Sequence, residues 1–100
     1  RRVTTTRIPL SKIVPFYANP PKRTDEDAAD LLSLATHIQN GGSLEPISVV
    51  RDEVNDVYLN TSGHRRAKAS EIAGLTDIAA NVTHPRADED PLEVQKELFK

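Results

Sequence analysis

"LNTSGHRRAKA", Leu59 to Ala69, places a glycine, a histidine and two arginines where a strand-like run gives way to a helix-like one. To its left, "DVYLN" is rich in strand-forming residues. To its right, Ala69, Ile72 and Ala73 recur at i, i+3 and i+4, and Gly74 follows as a stop. Gly63 therefore marks a strand-to-helix turn, and a residue without Cβ lets a ligand or another backbone approach closely. Thr61 or Ser62 is suited to cap the helix start with a hydroxyl. The first-turn N–H groups of such a helix point outward and carry the positive end of its dipole. Arg65 and Arg66 add two guanidinium forks to that end, an arrangement that opposes the dipole unless an anion is bound. Spacing puts Arg66 on the side of Ala69 and Ala73, over the sheet, and Arg65 on the side of Lys68, nearer solvent. Two readings stand at this point: a phosphate-type anion site, or a solvated face whose arginines pair with Asp or Glu elsewhere.

Working outward, "PISVVR" and "DVYLN" flank "DEVND", whose Asn and Asp suit a turn, so Ile47 to Asn60 reads as a β-hairpin. Before it, "NGGSLEPISVV" sets Gly41, Gly42, Ser43 and Glu45 ahead of the strand, with Pro46 stiffening the approach. In a small mixed sheet this loop is expected beside the Gly63 turn. Its glycines are also explained as a plain helix C-cap; Glu45 is the residue that explanation leaves over, a carboxylate able to hold Mg²⁺ or orient a hydroxyl. The preceding helix opens at Thr24, with Asp27 three residues later as a capping-box partner. Ala28, Leu31, Leu32, Ala35 and Ile38 form its expected buried stripe.

At the N-terminus, "VTTTRIPLSKIV" reads as a strand ending near Leu10 and a short turn to Ile13. "PFYANPPKR" has too many prolines for regular structure. "DIAANVTH" is a further strand, and a last helix starts at Pro91, with Leu92, Gln95, Lys96 and Phe99 at helical spacing. The order β-α-β-β-α-β-α implies an α+β fold, a small mixed β-sheet with packed helices.

Composition limits the function classes. The chain has 100 residues, a formal net charge of -2 and no cysteine. That is one domain with an aliphatic core, and it excludes disulfides, thiolate metal sites and thiol nucleophiles. A domain that grips nucleic acid by bulk phosphate neutralisation is basic, so any DNA contact here must be local or lie in another segment. His37, His64 and His84 share no metal-ligand spacing, so no histidine metal site is expected. No apolar run approaches the roughly 20 residues of a membrane span. The first residue is not methionine, and the sequence is expected to be part of a longer chain.

Taken together, "IPLSKIVP", "NPPKR", "LLSLATHIQNGGSLEPISVV" and "YLNTSGHRRAKASEIAGLTDIAANV" resemble the N-terminal domain of the ParB family, within the wider ParB/sulfiredoxin superfamily. The likeness runs from about Ile8 to Val82. It implies residues 1–85 as a nucleotide-binding domain, and residues 86–100 as an acidic loop and the start of a helix leading to a DNA-binding domain. It implies a pocket for CTP or another nucleotide with Mg²⁺. Ser62, Gly63, His64, Arg65 and Arg66 fall on the family's phosphate-gripping G-E-R-R region, and Gly42, Ser43, Glu45 and Pro46 on its G-x-x-Q-P loop. Lys22 and Arg23 border the same nucleotide. The chain departs in carrying Glu45 for Gln and His64 for Glu.

The implied function is a DNA-partition module that dimerises on DNA when nucleotide binds. Its implied partners are DNA, a second copy of itself and a partition ATPase, in the cytoplasm at the nucleoid or a plasmid. The enzymatic alternative on the same scaffold is a nuclease or phosphotransferase, with Glu45 or His64 as base. Sulfiredoxins carry a reactive cysteine where this chain has His64, so the lack of any thiol excludes their activity.

Overall fold

A computed structural model describes residues 1–16, 25–42 and 44–99. Along the chain the elements are β1 (Arg2–Pro9), a 3-10 turn (Leu10–Lys12), β2 (Ile13–Val14), α1 (Asp25–Gln39), β3 (Ile47–Asp52), β4 (Val57–Ser62), α2 (His64–Ile72), β5 (Asp77–His84) and α3 (Pro91–Leu98). Among the described residues the strands form one five-stranded mixed sheet in the order β1-β5-β3-β4-β2. The α+β arrangement expected from the sequence is the one observed.

Two β3 pairings set this topology. β3 runs antiparallel to β4 through the hairpin and parallel to β5, with Ile47 opposite Ala80 and Val49 opposite Val82. The parallel pairing requires a crossover, and α2 supplies it. β1 then pairs antiparallel with β5 along its whole length. β2 was not anticipated: two residues, Ile13 and Val14, lie parallel to Tyr58 and Leu59. A pairing of two residues leaves no periodic signal, so the turn was legible and the strand after it was not.

The two faces of the sheet are covered differently. On one, Ile8, Ile47, Val49, Ile78, Ala80 and Val82 form the largest buried cluster, closed by Leu10, Ile13, Tyr58 and Ala67 of α2. On the other, Val50 and Leu59 pack against Val94 of α3. α1 does not lie on the sheet but on α2, where Ala35 and Ile38 meet Ala69. That placement corrects the expected α1 stripe. A helix resting on one neighbouring helix buries a narrow seam, here Leu31, Leu34, Ala35 and Ile38, and Leu32 is left 59% exposed. The expected capping pair Thr24 and Asp27 lies outside the residues whose side chains are described.

Three smaller corrections follow the same logic. Ile72, read as a buried position of α2, is exposed, and Ser70 is buried in its place, its hydroxyl donating to the Arg66 carbonyl over 2.8 Å. Leu92 is exposed, because α3 turns Val94 and Gln95 to the sheet. The hairpin extends past Asn60 to Ser62, and its turn is held by Asp52, which accepts from the Asn55 side chain (2.8 Å) and backbone N–H (3.2 Å). Among the described residues no helix is long and apolar enough to cross a membrane.

Candidate anion-binding site

Gly63 joins β4 to α2 as the residue before the first helical turn, with φ 96° and ψ 27°. Both its conformation and its surroundings exclude a side chain. An added Cβ would sit 2.5 Å from Ile47 Cγ2 and 3.2 Å from Arg66 Nη2. The close approach therefore serves the sheet and Arg66 at once.

The helix start has no side-chain cap. The hydroxyl caps expected from Thr61 or Ser62 do not form, because β4 continues through both residues. Thr61 is buried and its hydroxyl donates to the Ser48 carbonyl over 2.9 Å. The first backbone bond into the helix is Ala67 N–H to the Gly63 carbonyl at 3.0 Å. The N–H groups of His64, Arg65 and Arg66 therefore precede the intrahelical ladder, at the positive end of the dipole.

Arg66 ties this start to the loop before β3. Its Nη1 donates to the carbonyls of Glu45 (3.0 Å) and Pro46 (3.1 Å). The loop and the Gly63 turn are thus neighbours, as the sequence led us to expect. The Glu45 carboxylate lies 3.9 Å from the same nitrogen, and its side chain is 94% exposed. At the loop's other end, Gly42 N–H bonds the His37 carbonyl at 2.9 Å, and a Cβ on Gly42 would overlap the His37 imidazole. Arg65 behaves differently. Its guanidinium meets Asp30 of α1 at 3.3 Å with both side chains more than half exposed, a pairing that water and salt weaken. Ser43, Lys22 and Arg23 lie outside the described residues.

His64 points away from this cluster. Its Nε2 accepts the Phe16 N–H at 3.1 Å, and its ring stands edge-on to Phe99, 5.8 Å between centroids. Partial burial pushes its pKa below the ordinary histidine value. A neutral ring whose Nε2 is already engaged leaves only Nδ1 for other work.

Chemically, the cluster offers outward N–H groups, one braced guanidinium and one weakly held guanidinium. An oxyanion such as phosphate fits that set. Glu45 offers a single carboxylate beside it, and among the described residues no three His, Asp or Glu side chains converge as a metal site. A hard divalent ion here would rely on oxygens brought by a ligand. Sequence reasoning missed Asn60, a fully buried amide on β4; its one signal was a polar residue at an inward position of "VYLNTS".

The sequence profile of the ParB N-terminal domain matches residues 1–95. The chromosome-partitioning protein Spo0J of Thermus thermophilus is 36% identical over 88 residues, which are 88% of this chain and 31% of that protein. The chain thus spans about a third of that relative's length. Among solved structures, the C-terminally truncated chromosome-partitioning protein ParB from Caulobacter crescentus, complexed with CTP-gamma-S, superposes with a TM-score of 0.66 at 23% identity. That match covers 92% of this chain and 50% of the other. Sulfiredoxin from Arabidopsis thaliana gives 0.65 at 22% identity, over 82% of this chain and 86% of its own. The two structural likenesses carry the fold, and the profile and the Spo0J relative carry the family: the chain belongs to the ParB N-terminal domain family.

Proposed function

We propose that this chain is the nucleotide-binding module of a ParB-type partition protein and that CTP is its ligand. The observation that carries the reading is the uncapped start of α2 at Gly63, braced by Arg66 against the loop ending at Glu45 and Pro46. The complex of the Caulobacter relative with a CTP analogue supports the choice of nucleotide.

In this reading the N–H groups of His64, Arg65 and Arg66 donate to phosphate oxygens. Bound triphosphate supplies the negative charge that turns the opposition between dipole and arginines into attraction. Arg65 leaves its exposed partner Asp30 and closes on the phosphate, and Ser62 lines the approach. Arg66 transmits occupancy to the loop of Gly42, Ser43, Glu45 and Pro46, with Glu45 as the carboxylate that meets Mg²⁺. Lys22 and Arg23 approach from the proline-rich segment. Ordering of the loop favours pairing of two copies around DNA, and site reading belongs to a DNA-binding domain outside residues 1–85, to which 86–100 lead. The partition ATPase is a partner of the whole protein. The enzymatic alternative has less support, because His64 Nε2 is already engaged by Phe16.

The test is calorimetric titration with CTP, ATP and GTP plus Mg²⁺, alongside Arg65→Ala. Among the described residues Arg65 makes only an exposed ion pair, so its loss should leave the fold intact. Selective CTP binding weakened about tenfold or more by the substitution is expected from the loss of a charged hydrogen bond. Absence of binding, or binding indifferent to Arg65, overturns the proposal.

A further inference from the structure

Asn60 is 1% exposed, and among the described residues its Oδ1 has no hydrogen-bond partner. The other buried polar side chains do not share this condition. Thr61 donates to Ser48, Ser70 to Arg66, Asp52 accepts from Asn55, and Gln95 donates to the backbone carbonyl of Asn60 itself at 2.9 Å. An unmet buried acceptor is costly, and a leucine at this position would remove the cost.

Side chains alternate along β4. Leu59 faces α3 with Val50 and Val94, so Asn60 faces the opposite layer, under α2. There it lines a cleft of about 250 Å³ together with Leu10, Ile13, Pro15, His64 and Ala67. Leu10, Ile13, Pro15 and Ala67 make its apolar walls, the His64 ring and the Asn60 amide its neutral polar groups, and Lys68 and Glu71 of α2 a pair of opposite charges. The cleft begins beside the residue that follows Gly63, and Asn60 lies three positions before that glycine, about 10 Å of chain. That is the length scale of a nucleoside. A carboxamide offers an acceptor and a donor in one plane, the pattern that pairs with the edge of a nucleobase.

We propose that Asn60 is a specificity-determining residue: its amide reads the edge of a base seated in the cleft between the Leu10–Pro15 segment and α2. The proposal rests on the nucleotide reading above, and it assigns base selection to a group distinct from the phosphate contacts. In the bound state Oδ1 accepts an N–H from the base, and the buried acceptor is satisfied by the ligand.

The experiment titrates the protein and its Asn60→Leu variant with CTP, UTP, ATP and GTP, and with inorganic tripolyphosphate as a probe of the phosphate contacts alone. The unaltered protein should separate its best and worst bases by at least about tenfold, as one good two-point contact to a base edge provides. Asn60→Leu should bring the four nucleotides together while leaving tripolyphosphate binding unchanged, and should melt no lower than the parent without ligand. Asn60→Thr, β-branched and suited to a strand, should level the preferences in the same way and guards against poor folding of the leucine variant. A variant that keeps the parent's ranking and spread overturns the proposal. So does a parent protein that binds tripolyphosphate yet treats all bases alike, an outcome that leaves the phosphate reading standing. Binding of neither probe removes both.

Discussion

Arg66 holds Glu45 by its backbone and not by its carboxylate: Nη1 lies 3.0 Å from the carbonyl oxygen and 3.9 Å from the side-chain oxygen. With the second bond to Pro46 at 3.1 Å, the guanidinium braces the loop whatever residue stands at position 45. Glu45 replaces the glutamine of the family pattern, and this geometry is why the replacement leaves the brace intact. The brace also means that Arg66 has a structural use as well as the ligand contact proposed for it.

The two roles separate on substitution. Arg66→Lys keeps the charge but loses the planar fork that spans two carbonyls, and should cost about 1–3 kcal/mol of folding stability. Glu45→Ala removes an exposed, poorly aligned partner and should change stability by less than about 0.5 kcal/mol. Urea unfolding of both variants decides the matter. Equal effects would mean that the ion pair, and not the carbonyl brace, holds the loop.

Gly63 and Gly41 share a left-handed backbone, with φ of 96° and 83°, but not a neighbourhood. A Cβ on Gly41 meets nothing within 4 Å, whereas one on Gly63 meets Ile47 Cγ2 at 2.5 Å. Gly41→Ala should therefore cost only the backbone strain, about 1–2 kcal/mol. Gly63→Ala should cost a further 1–3 kcal/mol or so, because Ile47 is fully buried and has nowhere to move. Denaturant melts of the pair isolate the packing contribution. Equal losses would show that Ile47 gives way.

The periodic elements were legible in the sequence. The alternation of "DIAANVTH" became β5 with the same bounds, and Gly63 stood at the strand-to-helix turn where composition put it. What failed was the assignment of partners. Leu32 and Ile72 satisfy helical spacing, yet α1 packs against α2 along one narrow seam, so an apolar residue beside the seam stays in water. Thr61 and Ser62 look like caps until β4 is known to run through them. At the site, Arg66 reaches the loop ahead of β3, and its acceptors there are carbonyls, which no sequence pattern displays. Asn60 was missed because a single polar residue in a strand reads as an outward position unless the register is known.

His64 ties the pH response of the fold to the cleft. Burial lowers its pKa from the usual 6.5, and its Nε2 serves as acceptor for Phe16 N–H, a bond the protonated ring cannot make. The sign follows from linkage. Below pH 6.5 the unfolded chain takes up a proton that the folded chain refuses, so stability is fully present above 6.5 and declines as pH falls toward the folded pKa. Below that value the loss levels off. Lys68 and Glu71 also line the cleft, and opposite charges there oppose each other's influence on the ring. His64→Gln keeps a polar side chain and removes the titration. Between pH 7.5 and 5, the parent should therefore lose more of its melting temperature than the variant does. Imidazole NMR titration of His64 supplies the direct reading. A His64 midpoint at or above 6.5 would refute the buried, neutral assignment, and with it the use of this ring as an uncharged wall of the cleft.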